Sequence, residues 1–116
     1  MNPETLDKIL DFLQKHFPHY TDRNTLKEHI LKHLEYKTIL IVMNKEEVIA
    51  VCRWNVKGEV ADILDLAIDE KFRKKGLIKE LLQAGLKLFP YVKYLSYERQ
   101  MKYPFRNKKL IPIDQF

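Results

Sequence analysis

The chain has 116 residues, of which 46% are hydrophobic and 32% are charged, and its formal net charge is +5. This composition is typical of a compact soluble domain and excludes a disordered chain. No apolar run approaches the roughly 20 residues of a membrane span, and the N-terminus has no signal-peptide pattern. Because Cys52 is the only cysteine, an internal disulfide is excluded as well, and we expect one cytoplasmic domain over residues 1–116.

Two amphipathic helices are predicted in the first third of the chain. Asn2 can cap the first helix, Pro3 holds its favoured first position, and the helix should end before Pro18. Thr21 or Asp22 can cap the second helix. Apolar residues recur at helical spacing in both segments, and they are Leu6, Ile9, Leu10, Leu13 and Phe17, then Leu26, Ile30, Leu31 and Leu34.

The pattern then changes from helices to strands. Apolar and β-branched runs over residues 38–43, 48–56 and 60–68 are separated by turn residues, which predicts an antiparallel meander. An amphipathic helix over about residues 77–89 and a strand over residues 91–97 follow. A crossover of this length predicts that the last two strands lie parallel and adjacent. The predicted fold class is therefore α+β, with a mixed, mostly antiparallel sheet flanked by helices.

The loop after the third strand is the most informative stretch of the sequence. The strand ends at Ile68 and runs into a basic loop that closes on Gly76, where a helix starts at once. The first turn of a helix leaves about four N–H groups without partners, and the helix dipole favours negative charge there. With Arg73, Lys74 and Lys75 beside them, these groups predict a diphosphate site. Gly76 would let the backbone come close to the phosphates.

The order of elements and this loop resemble the GNAT acetyltransferase superfamily. Its signature loop is Arg/Gln-x-x-Gly-x-Gly/Ala between the fourth strand and the third helix of that fold, and the matching residues are Arg73, Gly76 and Ile78. Ile78 stands where the family has a second small residue. The resemblance covers about residues 1–97 by element order and residues 60–82 by motif. It implies a GNAT-like domain truncated at both ends, because the family's first strand is not visible and its last two are short or missing.

The resemblance implies acetyl-CoA as the co-substrate and a set of residues that bind this CoA thioester. Its diphosphate would lie against Arg73, Lys74, Lys75, Gly76, Leu77 and Ile78. Its pantetheine arm would pair with the backbone of Leu66, Ala67 and Ile68, beyond which the sheet splays apart and the thioester sits in the gap. A backbone N–H near Ala67 and Ile68 would be the oxyanion donor.

The resemblance also implies direct acetyl transfer to a primary amine, without a covalent enzyme intermediate and with an unknown acceptor. Asp62 falls at the position of the acidic base in several members that modify proteins, and Glu59 is an alternative base. An ordinary exposed strand residue is an equally good interpretation of Asp62, and simple alternation places Asp65 on the other side of the strand. Tyr97 and Tyr103 are the nearest candidates for the acid that protonates the thiolate, because no further helix that could carry the family's tyrosine is predicted.

Charge is distributed unevenly along the chain, which keeps other functions open. Residues 71–109 contain 12 Lys/Arg and 2 Asp/Glu, whereas residues 1–70 contain 9 and 13. Aromatic residues are interleaved with the cations of the second half, a combination that suits single-stranded nucleic acid. A basic nucleic-acid-binding module is therefore one alternative, and a catalytically inactive GNAT-like interaction protein is another. The tail after residue 97 resembles short GNAT-like proteins encoded by bacteriophages.

Two further expectations concern metals and assembly. His29 and His33 lie four residues apart on a predicted helix, but no third ligand is apparent, so no metal site is predicted. The short apolar run 110–113 is a candidate edge strand. A bare sheet edge recruits further strands, so a second copy of the chain could complete the sheet as a homodimer.

Overall fold

A computed structural model describes residues 1–73, 76–100 and 106–115, without the side chains of Ile78, residues 97–100, residues 106–109 and Gln115. The helices are α1 Pro3–His16, α2 Arg23–Tyr36 and α3 Leu77–Leu86. The strands are β1 Ile39–Asn44, β2 Glu47–Lys57, β3 Val60–Ile68, β4 Tyr94–Gln100 and β5 Arg106–Pro112. Short 3₁₀ turns cover Glu70–Phe72 and Ile113–Gln115.

These strands form one sheet in the order β1-β2-β3-β4-β5. The pairs β1–β2, β2–β3 and β4–β5 are antiparallel, and β3 and β4 are parallel neighbours. The predicted α+β class and the mixed, mostly antiparallel sheet are therefore confirmed. The prediction that the strands before and after α3 lie parallel and adjacent is confirmed as well, since a connection of this length suits a parallel crossover.

Local sequence signals account for the helix starts. The Asn2 side chain accepts a hydrogen bond from the Thr5 backbone N–H at 2.7 Å and caps α1. Of the two residues predicted to cap α2, Asp22 does so, and it accepts a hydrogen bond from the Thr25 N–H at 3.1 Å. Leu31 was predicted on the apolar face of α2, but it is 45% exposed. Leu26 and Ile30 are the buried residues of that helix, so its buried stripe is narrower than its pattern of apolar residues suggests.

Two boundaries differ from the sequence-based expectation. Helix α3 ends at Leu86 and not near residue 89, and β4 begins at Tyr94 and not at residue 91. Between them the chain makes turns and approaches the β2–β3 hairpin, where the Glu59 carbonyl accepts hydrogen bonds from the N–H groups of Lys93 and Tyr94. This tertiary contact fixes the start of β4, and hydrophobic periodicity does not report it. The edge strand predicted at residues 110–113 is longer and starts at Arg106.

The sheet is covered on both faces. Helices α1 and α2 pack on one face with Val51 and Ala67 of the sheet in their core. Helix α3 packs on the opposite face, where Trp54 and Leu95 belong to its core. A Cβ atom at Gly85 would lie 2.7 Å from the Trp54 ring, so this glycine lets α3 approach the sheet closely. We call the two surfaces the α2 face and the α3 face below.

Candidate active site at the end of the β3–β4 pairing

Strands β3 and β4 are paired over a short distance only. Their register pairs are Val60 with Tyr94, Ala61 with Leu95, and Asp62 with Ser96. Both strands continue, β3 to Ile68 and β4 to Gln100, but in the described part of the chain their pairing ends at Asp62 and Ser96. The resemblance placed the splay of the sheet beyond residues 66–68. The parting starts earlier, so Leu66, Ala67 and Ile68 all lie on the segment of β3 that β4 does not pair.

A β-bulge shapes β3 just beyond this point. Arg53 pairs with Asp65 and Trp54 pairs with Ile63, which leaves Leu64 as an extra residue on β3. Trp54 and Ile63 belong to the α3-face core, so Asp62 and Asp65 both lie on the α2 face. The expectation that Asp65 points to the other side from Asp62 is therefore wrong. Simple alternation fails because the bulge adds one residue between them.

Asp62 lies at the place where the two strands part. It is in register with Ser96 on β4, and Ser96 is in register with Leu110 on β5. These three residues, with Lys57 and Val60, line a cavity of about 410 Å³ on the α2 face. Ser96 is only 3% exposed, whereas Asp62 is half-buried and lies at the cavity wall.

Glu59, the alternative base, has a different environment. It belongs to the β2–β3 turn, and its carboxylate forms an exposed ion pair with Lys93 at 3.3 Å. It is therefore already matched with a cation outside the cavity. Ser96 was not identified from the sequence, because only the strand register shows that it faces Asp62.

Asp65 is not a candidate base, because a buried polar cluster uses its carboxylate. Asp65 is 2% exposed and Arg53 is 4% exposed. The Arg53 Nε and Nη2 atoms lie 2.7 and 2.6 Å from Asp65 Oδ2, and the Tyr20 hydroxyl donates a hydrogen bond to Asp65 Oδ1. Arg53 Nη2 also donates to the Tyr20 oxygen at 3.1 Å. A buried carboxylate needs such partners, and Tyr20 brings one from the α1–α2 connection.

The polar cluster perturbs the pKa of Tyr20. Burial, together with the hydrogen bond to the Asp65 carboxylate, raises the pKa of Tyr20 to about 12. The phenol therefore remains protonated near neutral pH and acts as a hydrogen-bond donor to Asp65. Tyr20 was not recognised from the sequence. The signal available there was the presence of two charged residues, Arg53 and Asp65, among the apolar residues of the predicted strands, because a buried charge requires a partner.

The loop predicted to bind a diphosphate lies at the far end of β3. Gly76 is the N-cap of α3 with φ of 89°, a left-handed conformation that favours glycine. No side chain of the described residues caps this helix start. Arg73 is exposed, and its Nε donates a hydrogen bond to the Ile68 carbonyl at 3.0 Å. Arg73 thus lies against the end of β3, and α3 begins with Gly76 as its N-cap three residues further along the chain.

Several predicted site residues lie outside the described part of the structure. These are Lys74, Lys75 and Tyr103, together with the side chains of Ile78 and Tyr97. The backbone of Tyr97 is described, and it immediately follows Ser96, the last residue of β4 paired with β3. The roles assigned to these residues from the sequence stay predictions.

His33 contacts a polar side chain and not a second histidine. Its Nδ1 lies 2.7 Å from Thr38 Oγ1, and burial, with the positive charge of Arg53, lowers its pKa. Within residues 1–73, 76–100 and 106–115, no group of three or more His, Cys, Asp or Glu side chains is arranged to hold a metal ion.

Comparison with known families agrees with this architecture. The model of the acetyltransferase (GNAT) family matches residues 4–92 of the chain. The chain belongs to the GNAT acetyltransferase family. The match includes α1, α2, the meander, the Gly76 loop and α3, and it ends just before β4. None of the curated protein sequences matches the chain.

Solved structures of other acetyltransferases share the fold. An aminoglycoside 6'-N-acetyltransferase complexed with coenzyme A is similar with a TM-score of 0.67 and 14% identity, over 84% of this chain and 56% of that one. A PaiA N-acetyltransferase from Thermoplasma acidophilum, in complex with coenzyme A, has a TM-score of 0.66 and 12% identity over 90% and 79%. Ard1 from Thermoplasma volcanium has a TM-score of 0.66 and 19% identity over 88% and 70%. The GNAT-family chain thus spans little more than half of the aminoglycoside enzyme.

The helices of this GNAT-family chain were also compared with the requirements for a membrane span. Among the residues that the structure describes, no helix has the length and apolar character needed to cross a bilayer.

Proposed function

We propose that this GNAT-family protein is an acetyl-CoA-dependent N-acetyltransferase that acts on a primary amine by direct transfer. The observation that carries the proposal is the end of β3–β4 pairing at Asp62 and Ser96. It leaves one segment of β3 without β4 beside it, with a carboxylate at one end of that segment and a glycine-capped helix start at the other. This arrangement suits a long ligand whose reactive group lies near Asp62 and whose diphosphate lies near Gly76.

In this proposal the binding residues act along the length of acetyl-CoA. The first-turn N–H groups of α3, from Leu77 and Ile78 onward, bind the diphosphate, and the helix dipole adds a favourable field. Arg73, Lys74 and Lys75 contribute positive charge. The pantetheine amides pair with the backbone of β3 at Leu66 and Ala67. The Ile68 carbonyl already accepts a hydrogen bond from Arg73, so the arginine side chain lies at the junction of the two parts.

The proposed chemistry needs one base and one acid. The amine nitrogen forms a C–N bond with the thioester carbonyl carbon, the C–S bond breaks, the amine loses a proton and the thiolate gains one. Asp62 accepts the amine proton, directly or through one water. Backbone N–H groups of β3 between Asp62 and Leu66, beside the thioester, stabilise the oxyanion. Tyr97, next to Ser96 in the chain, is the first candidate for the acid, and Tyr103 is the second.

Calorimetric titration with acetyl-CoA, followed by a thiol-release assay with a panel of amines, tests the proposal. We expect saturable binding of one acetyl-CoA per chain and amine-dependent release of thiol. Absence of binding would sink the proposal as a whole. Binding without turnover across the panel would favour the catalytically inactive interaction protein.

Two other predictions from the sequence can be tested beside this one. Binding of single-stranded DNA that falls steeply with salt, without competition from acetyl-CoA, would support the nucleic-acid module. Strand β1 is the first strand of the described sheet and has a partner only in β2, so its outer edge is where a second copy would add a strand. Light scattering at several protein concentrations tests the homodimer.

A further inference from the structure

A second cavity lies beside the one at Asp62. It has a volume of about 490 Å³, and its lining includes Lys32 and Tyr36 of α2, Asn55 and Lys57 of β2, and Phe89. Lys57 also lines the cavity that contains Asp62. The two cavities therefore adjoin each other at this lysine.

The strand register shows that the two cavities share the α2 face of β2 and β3, while Val56 and Phe89 carry the 490 Å³ cavity around the end of β2 toward the α3 face. Asn55 pairs with Asp62, and Lys57 pairs with Val60. Side chains that are directly opposite in a register share a face, so all four residues lie on the α2 face. Strand β1 begins opposite Arg53, and β2 continues to Lys57 without it. The result is one groove across the end of the sheet, from α2 to the point where β3 and β4 part; we call it the α2 groove.

Charge is separated along the α2 groove. Asp62 lies at one end and the exposed Lys32 at the other, and the exposed Lys57 lies between them because it lines both cavities. Among the described residues that line the 490 Å³ part, none carries a carboxylate. His33 also lines this part, but its lowered pKa keeps it largely neutral near pH 7, and its Nδ1 is engaged with Thr38. The positive charge of the 490 Å³ part therefore comes from Lys32 and Lys57, and Lys57 also lines the cavity that contains Asp62.

We infer that the acceptor is an amine that carries an anionic group, a carboxylate or a phosphate, at a distance from its nitrogen. The nitrogen lies at Asp62, and the anionic group lies between Lys32 and Lys57. Such a molecule matches the sign of the charge at both ends of the groove, whereas a simple polyamine would bring a second cation to the two lysines. The inference rests on the proposed acetyl transfer and specifies its second substrate.

Matched pairs of amines test the inference. Lysine is compared with pentane-1,5-diamine, and phosphoethanolamine with ethanolamine, so that each pair differs by one anionic group. We expect the anionic member to have a kcat/KM higher by about fivefold or more, mainly through a lower KM. The carboxylate and phosphate pairs distinguish which anion the groove prefers.

Two lysine substitutions and one control locate the effect. In the Lys32→Gln/Lys57→Gln double variant, KM should rise for the anionic member relative to the member that lacks the anionic group, so the preference within each pair should be lost. Lys27→Gln, on the same helix and outside the lining of the groove, should change neither. Equal kcat/KM values within both pairs would overturn the inference, as would equal losses for the two members of each pair in the double lysine variant.

A binding measurement separates failure of this inference from failure of the proposed function. Amide resonances of Thr38, Asn55 and Val56 are followed by NMR while the same amines are added to the acetyl-CoA-treated protein. Shifts with the anionic members, lost in the double lysine variant, support the groove as an anionic-amine site even if no amine is turned over. Absence of these shifts in a protein that does acetylate amines would reject the groove and leave the acetyl transfer standing.

Discussion

Asp62 and Asp65 lie on the same face of β3 although three positions separate them, because the bulge at Leu64 offsets the normal alternation. The two carboxylates have different surroundings. Asp65 is enclosed by Arg53 and Tyr20, whereas Asp62 is half-buried at a cavity wall where β3 and β4 part. The structure thus contains one structural carboxylate and one that adjoins solvent on the same strand, and the two can be tested separately.

Asp62→Asn should reduce kcat by about 10²- to 10⁴-fold, the usual contribution of a general base, and leave the Kd for acetyl-CoA unchanged. The amide keeps the shape of the side chain but cannot accept the amine proton. Steady-state kinetics and calorimetry on the same preparation measure both quantities. Glu59→Gln is the matched control, since it removes one carboxylate from the neighbouring turn. A larger loss in the Glu59 variant would reverse the assignment of the base.

Arg73→Ala should weaken acetyl-CoA binding by roughly 10- to 100-fold if its guanidinium contacts the diphosphate, because hydrogen bonds to charged groups contribute about 1.5–3 kcal/mol. Gly76→Asp should weaken it further, since a carboxylate would enter the proposed phosphate site and the residue would have to keep a φ of 89°. Calorimetric titration gives the Kd values.

Gly58→Asp is the control for backbone strain in that experiment. Gly58 also has a positive φ, 57°, and open space around its Cβ position, but it lies in the β2–β3 turn. The Gly58→Asp variant should have a lower free energy of unfolding and an unchanged Kd for acetyl-CoA. Unchanged affinity in both the Arg73 and Gly76 variants would show that the ligand binds elsewhere.

Asp65→Ala should reduce the free energy of unfolding by about 3–5 kcal/mol, because it leaves the Arg53 guanidinium buried without its carboxylate. Urea denaturation monitored by circular dichroism measures the loss. Replacing the whole cluster, as Tyr20→Phe/Arg53→Met/Asp65→Leu, should recover most of it, since no charge is then left buried. If the single and the triple variants are equally unstable, the cluster is needed for a reason other than charge pairing.

The stability of the protein should fall as the pH rises from 10 toward 12. The pKa of Tyr20 is raised in the folded state to about 12, so the folded state retains a proton that the unfolded state loses above pH 10. The contribution of Tyr20 is therefore fully present below pH 10 and is lost as pH approaches 12. Urea midpoints measured across this range should have a shallower pH slope in Tyr20→Phe.

Cys52 adds to the same slope and needs its own control. Burial raises the pKa of the Cys52 thiol to about 12, from an ordinary value of 9.0. The unfolded state therefore loses this proton at a lower pH than the folded state does, and the free energy of unfolding falls as the pH rises above 9. Cys52→Ala removes that contribution and leaves the one from Tyr20. If Tyr20→Phe has the same pH slope as the parent protein in a Cys52→Ala background, the tyrosine is not linked to folding.

Much of the fold could be predicted from short-range sequence patterns. The third strand was predicted over residues 60–68 and is Val60–Ile68, because an apolar run that follows the turn residues Lys57 and Gly58 defines it locally. The helix starts at Asn2 and Asp22 follow from side-chain capping. Such features depend on residues a few positions apart, and a single sequence contains that information.

The features that sequence reasoning missed depend on contacts between distant segments. The start of β4 is set by hydrogen bonds to the Glu59 carbonyl, and the orientation of Asp65 is set by a bulge against β2. Tyr20, the second partner of Asp65 beside Arg53, comes from the connection between α1 and α2. Ser96 became a site residue only when the register placed it opposite Asp62. The loop at Gly76 could be predicted as a candidate diphosphate site because its chemistry is local, whereas the α2 groove is assembled from α2, β2 and residues after α3.

The brief contact between β3 and β4 has a mechanical consequence. In the described structure, three backbone pairs join a three-stranded part of the sheet to a two-stranded part. Beyond them β3 and β4 are no longer paired, and a ligand lying along β3 would take the place of the missing strand. Such a ligand would complete the hydrogen-bond ladder that β3 leaves open. Separation of β3 from β4 and release of the ligand would then occur together.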